Sequence, residues 1–185
     1  MKNNTYEELF FQALRIRLFE EKIIEIYPTD KIQSPVHLSI GQEAVAVGVC
    51  SQFAPEDMLF INYRGHAFYL AKGGPMQEMM AELYGRRGGL SGGKSGSMHL
   101  AAPQVNVMGA SAVVASTISH AVGAALAGKI LNQDRIFITT FGDGATEQGV
   151  YHESLNFASL HNLPVLFLCE NNKLAVHSPL SERQS

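Results

Sequence analysis

Basic residues are scarce in this chain: 14 Lys and Arg stand against 17 Asp and Glu, for a net charge of −3. No basic stripe is available to neutralise phosphates, which excludes a nucleic-acid partner. The Arg86-Arg87 pair is too short to change this and reads as a solvated helix end. Only two cysteines occur, Cys50 and Cys169. They stand far apart, outside any CxxC or zinc spacing, so a disulfide framework is excluded and two buried free thiols in a reducing compartment are expected. No apolar run is long enough to span a bilayer. Residues 1–10 lack the apolar core of a secretory signal, and Glu7 and Glu8 argue against an acid-poor transit peptide. A cytoplasmic protein with no membrane partner is the expectation.

Several catalytic signatures are missing as well. Gly142-Asp143-Gly144 is followed by Ala145, Thr146 and Glu147, without the third glycine of a dinucleotide fingerprint. No glycine-lysine-serine loop follows a strand. His152-Glu153 leads into Ser154-Leu155-Asn156, not to a second zinc-binding histidine. No serine nucleophile elbow is expected.

What is there suits one α/β domain over residues 1–185, with 46% hydrophobic residues, no internal repeat and no linker. Thr5-Tyr6-Glu7-Glu8 reads as a capping box. It opens a helix whose apolar side is carried by Phe11, Leu14, Leu18, Ile23 and Ile26 and which Tyr27-Pro28 ends. Residues 41–53 read as a second, buried helix, 57–62 as a strand, and 76–84 as a helix with Pro75 near its first turn. Residues 85–97 hold six glycines and predict a loop, either a flexible linker or a segment that closes over a ligand. Residues 111–130 are small and suit close helix packing. Residues 135–141 and 164–169 read as buried strands flanking a helix over 149–160, a βαβ unit with parallel strands.

The strand ends carry the chemistry. One strand runs into Gly142-Asp143-Gly144, the other into Glu170-Asn171-Asn172. In a parallel sheet both tips lie at the edge where ligands collect. A carboxylate, an amide oxygen and a backbone carbonyl are the hard oxygen ligands that magnesium takes together with phosphate. The glycines and the following helix N-terminus admit a diphosphate. Asp-Gly alone is ordinary turn chemistry; the two tips together are not.

Gly142-Asp143-Gly144 with Asn171-Asn172 resembles the thiamine diphosphate signature. Residues 37–44 (HLSIGQEA), 63–66 (YRGH), 96–99 (GSMH) and 144–146 (GAT) resemble the α subunit of 2-oxo acid dehydrogenase E1 components, which include pyruvate, branched-chain 2-oxo acid and acetoin dehydrogenases. The likeness runs from about Leu9 to the C-terminus and is better than that to transketolase. It implies a thiamine diphosphate-binding fold, a parallel sheet flanked by helices, here incomplete at its C-terminal end because family chains continue well past the Asn-Asn motif. It implies Asp143, Asn172 and the Leu174 carbonyl as magnesium ligands. Tyr63 and Arg64 are implied as diphosphate contacts, with backbone donors from Gly144 and Ala145. Ala112 and Val114 are implied near the aminopyrimidine, and His37 as the catalytic histidine at the entrance. His66 and His99 read as structural, and Glu43 has no assigned role. The implied reaction is oxidative decarboxylation of a 2-oxo acid, with acyl transfer to the lipoyl domain of an E2 partner. No residue here has a claim to the glutamate that meets the pyrimidine. The implied partner is therefore a β-type subunit that supplies it, in an α2β2 or other oligomer. Two alternatives stand beside this: an assembly module of the same fold without turnover, and a transketolase-like two-carbon transferase.

Overall fold

The computed structural model describes residues 5–184. Helix α1 spans Tyr6–Ile26 and opens on the expected capping box: Glu8 N donates to Thr5 Oγ1 at 3.2 Å, and Thr5 N donates to Glu8 Oε2 at 2.8 Å. A single 3-10 turn, Tyr27–Thr29, follows it. Then come α2 (Glu43–Cys50), strand β1 (Met58–Asn62), α3 (His66–Ala71), α4 (Met76–Leu83) and β2 (Val107–Ser111). The chain continues with α5 (Ser116–Ile130), β3 (Phe137–Gly142), α6 (Gly149–Leu160) and β4 (Val165–Glu170). A small hairpin, β5 (Leu174–Ala175) with β6 (Ser178–Pro179), leads into the short α7 (Leu180–Arg183).

The four long strands form one parallel sheet in the order β2-β1-β3-β4. From β1 the chain crosses first to one side and then to the other, so the order reverses between β1 and β3. A crevice opens at the carboxyl ends of such a pair, because the two connections leave in opposite directions. Asp57 ties the other ends together: its carboxylate accepts from Ala54 N and Ile136 N. The main core joins Leu59 and Ile61 of β1 to Phe68, Tyr69 and Leu70 of α3 and to Ile16, Phe19 and Ile23 of α1.

Several expectations need correction. Phe11, Leu14 and Leu18 face outward at 62%, 41% and 56% exposure, whereas Ile16, Phe19 and Ile23 are the buried face. The inner stripe contains Glu20, and a carboxylate in the stripe disguises it as polar. Residues 111–115 are not helical; they end β2 and turn into α5, where Ala115 takes a left-handed φ of 67°. Strand β4 is only half buried, with Leu166 41% exposed, because it is the sheet's edge. For the same reason Cys169 is exposed, while Cys50 is buried as expected. Gly89-Leu90-Ser91-Gly92-Gly93 does match the letters of a nucleophile elbow, but it sits in a loop with no strand before it, so it lacks the turn that makes the motif work.

The glycine-rich loop is not a flexible linker. It winds around the buried carboxylate of Glu82. Oε1 accepts from Ser95 N, Ser95 Oγ and Gly96 N, and Oε2 from Ser91 N and Gly93 N, at 2.7–3.2 Å. A Cβ on Gly93 would lie 2.3 Å from the Gly85 carbonyl carbon, and one on Gly89 would lie 2.6 Å from Glu82 Cα. The glycines are there because the loop closes on itself.

Candidate functional site

Pairing of Gly142 with Glu170 brings the tips of β3 and β4 level. Asp143 and the Asn171-Asn172 pair therefore leave the sheet side by side. On the other side of β3, β1 ends at Asn62 and releases Tyr63 and Arg64 into the same crevice. A cavity of about 610 Å³ lies there, a size suited to a cofactor.

Tyr63, Arg64, His37, Gly144, Ala145, Val114, Asn172 and Leu174 all line this cavity. Two expected residues do not. Ala112 is absent from the lining, where Val113 and Val114 stand instead, because the turn closed by Ala115 presents the valines. Asp143 is buried between Gly142 and Gly144, which do line it. Asp143 Oδ1 has no hydrogen-bond partner, and Oδ2 accepts from Arg183 Nη2 at 2.5 Å. Arg183 also pairs with Glu147. Asn172 Oδ1 accepts from Leu174 N at 2.9 Å. Among the described residues no cluster of three His, Cys, Asp or Glu could hold a metal. Any metal here would take a carboxylate together with amide and carbonyl oxygens, which favours a hard cation.

Arg64 is held on three sides. Its backbone N donates to Asn62 Oδ1 at 2.8 Å, its carbonyl accepts from Ser39 Oγ at 3.3 Å, and its Nη1 donates to the Leu38 carbonyl. Asn62 in turn donates to Glu170 Oε2 at 3.2 Å. Burial raises the pKa of the Glu170 carboxyl above the usual carboxylate range, opposed by Asn62 and by the charge of Arg64. A Cβ on Gly65 would stand 2.6 Å from Ile61 Cδ1 and 2.9 Å from the Asn62 carbonyl, so this turn admits only glycine without a shift.

His37 packs edge-on against Tyr63 with ring centroids 4.7 Å apart, and its Nδ1 is buried without a partner. Burial, and next the positive charge of Arg64, lower its pKa below the ordinary histidine value. Both effects favour the neutral imidazole, whose Nδ1 is buried and unpartnered. Gly144 is pressed against the β5–β6 hairpin; a Cβ there would meet Ala175 Cβ at 2.9 Å.

Sequence reasoning passed over Asn62, Glu170, Arg183 and the hairpin residues Ala175, Val176 and His177, which also border the cavity or its acid. The first two were within reach, since each is a polar residue ending an apolar strand, as Gly142-Asp143 does. Arg183 carried no local signal.

Residues 12–185 match the family model described as "Dehydrogenase E1 component". The chain is 40% identical over 171 residues to the α subunit of acetoin:2,6-dichlorophenolindophenol oxidoreductase of Bacillus subtilis, covering 92% of this chain and 51% of that protein. It is 41% identical over 170 residues to the pyruvate dehydrogenase E1 component subunit alpha of Rhizobium meliloti, covering 92% and 49%. Its likeness to the mitochondrial pyruvate dehydrogenase E1 component subunit alpha of Saccharomyces cerevisiae is 40% over 177 residues, covering 96% and 42%. The chain thus spans about half the length of the curated relatives it matches.

Proposed function

The chain belongs to the dehydrogenase E1 component family, and on that premise we propose that residues 1–185 form the thiamine-diphosphate- and magnesium-binding domain of an E1 α-type subunit. One observation carries the reading: the level tips of β3 and β4 set a buried, half-satisfied carboxylate beside Asn172, across a cavity from Tyr63 and Arg64. The lone Oδ1 of Asp143 is an acceptor without a donor, which a divalent cation would satisfy. Asp143, Asn172 and the Leu174 carbonyl would hold magnesium. Arg64 would meet the diphosphate with a charge that it cannot lose, and the backbone N–H groups of Gly144 and Ala145 would donate to it. Val114 would face the pyrimidine.

Thiamine diphosphate, when bound, supplies the electron sink for decarboxylating a 2-oxo acid. The residues of this chain would bind and orient it, while His37, which lines the cavity and has its pKa lowered by burial, would hold or accept a proton at the entrance. A β-type subunit would supply the pyrimidine glutamate, in an α2β2 or other oligomer, and the acyl group would pass to the lipoyl domain of E2. A cytoplasmic setting belongs to the same proposal; the Saccharomyces relative is named mitochondrial. No helix among the described residues is long and apolar enough to cross a membrane. A sugar-phosphate transferase is less well supported, since among the described residues Arg64 is the only Lys or Arg that lines the cavity.

The deciding experiment is calorimetric titration with thiamine diphosphate, with and without magnesium: metal-dependent binding supports the reading, and no binding ends it. The purified chain alone is expected to show no decarboxylation of pyruvate with cofactor and magnesium present, and a β-type chain should restore it. Robust turnover by the chain alone would refute the shared-site reading. Arg183→Gln is expected to tighten magnesium binding by about tenfold, because the ion no longer competes with a guanidinium for Asp143. Unchanged magnesium affinity in the variant would show that the pair does not compete with the ion.

A further inference from the structure

Behind the cavity wall lies a buried polar chain for which the proposed function has no use. His66, the first residue of α3, is fully buried. Its Nδ1 is 2.6 Å from Glu20 Oε1 and its Nε2 is 2.7 Å from Ser97 Oγ. Glu20 and Ser97 are buried too, and neither lines the cavity of the proposed site. With the carboxylate accepting, the network assigns the ring proton to Nδ1 and leaves Nε2 to accept from the serine hydroxyl. The serine-histidine-glutamate order looks like a nucleophile triad, but a substrate has no access to it.

The connections at its two ends say what it joins. Ser97 closes the glycine-rich loop 85–97, and its backbone N donates to Ser34 Oγ at 3.2 Å. Glu20 accepts with its other oxygen from Ser39 N at 2.6 Å, and Ser39 Oγ donates to the Arg64 carbonyl at 3.3 Å. His66 itself follows Tyr63-Arg64-Gly65, and the close approach of Gly65 to Ile61 and Asn62 leaves that turn little freedom. An unbroken hydrogen-bonded path therefore runs from the loop, through Ser97, His66, Glu20 and Ser39, to the backbone of Arg64. Each member is buried or half-buried, where losing a partner is costly and alternative water partners are few.

We infer that His66 is a positioning residue that couples the order of loop 85–97 to the Tyr63-Arg64 segment, so that ligand held by Arg64 tightens the loop. This rests on the diphosphate-binding reading of Arg64. The loop carries its own reporters, since Arg86, Arg87 and Lys94 are exposed and are sites for trypsin.

The test is limited trypsinolysis of the chain with and without saturating thiamine diphosphate and magnesium, with binding followed by calorimetry. In the wild type, bound ligand should slow cleavage at these three sites by about tenfold, the weight of one buried hydrogen bond. Ser97→Ala should still bind ligand, yet show protection of less than about twofold, because the path is cut at one hydrogen bond. Ser39→Ala leaves the loop's own contacts intact. It should keep the unliganded cleavage rate and lose the protection, which a purely local structural role would not produce. Binding without protection in the wild type, or full protection in both variants, overturns the coupling and leaves the cofactor reading standing. No binding in the wild type brings down both.

Discussion

Glu82→Gln should destabilise the chain by about 3–5 kcal/mol. The carboxylate accepts five hydrogen bonds, four of them from backbone N–H groups of the loop. An amide keeps one oxygen and turns the other acceptor into a donor. The N–H groups aimed at that position then face a donor, and the loop has no other acceptor placed for them. Urea unfolding measures the loss; a change below about 1 kcal/mol would show that the loop is held by its own backbone and not by Glu82. The same residue sets an acid limit. Burial pushes its pKa up, but the bonds from Ser91, Gly93 and Ser95 outweigh this and hold it down to about 2. A carboxyl depressed in the folded state stabilises above its unfolded pKa and loses that contribution as pH falls through the folded value. Stability should therefore decline between about pH 4.5 and pH 2 by about 3 kcal/mol on account of this group, and Glu82→Gln should flatten that part of the profile.

Asp143→Ala should cost at least about 100-fold in magnesium-dependent binding of thiamine diphosphate, because it removes the carboxylate from the three proposed magnesium ligands. The variant should stay folded, since alanine also removes the orphaned Oδ1. Its effect on binding without metal should be small, and that contrast separates loss of a ligand from general damage to the cavity. Equal binding with and without magnesium in both proteins would remove the metal from the account. Arg183 makes the comparison sharper. In Asp143→Ala its guanidinium keeps only Glu147 as an anionic partner, so any residual diphosphate affinity should weaken with salt.

The same two sites show where reading along the chain succeeds and where it stops. Capping at Thr5 and Glu8 and the turn at Tyr27-Pro28 are local, depending on residues within one or two turns of chain, and the strand-helix-strand run from Phe137 to Glu170 follows from the apolar pattern of each of its segments. Asp143 and Asn172 could be brought together on paper because parallel strands joined by one crossover must end at the same edge. Glu82 could not be paired with its loop, since the five donors spread over residues 91–96 carry no spacing that names an acceptor. The buried face of α1 is not legible along the chain, because an inner stripe that contains Glu20 looks polar until His66 and Ser39 N stand beside the carboxylate.

By itself, then, the order of residues determined the α/β class, the strand-helix-strand run from Phe137 to Glu170 and which polar residues stand at the tips of β3 and β4, all of which follow from periodicity and from backbone rules. Only the folded chain decided that β1 lies against β3, that Arg64 therefore shares a crevice with Asp143, that β4 is an edge, and that Arg183 meets the acid. Those facts depend on contacts between segments 40 to 108 residues apart, and their energy comes from burial and from partners that no local pattern specifies.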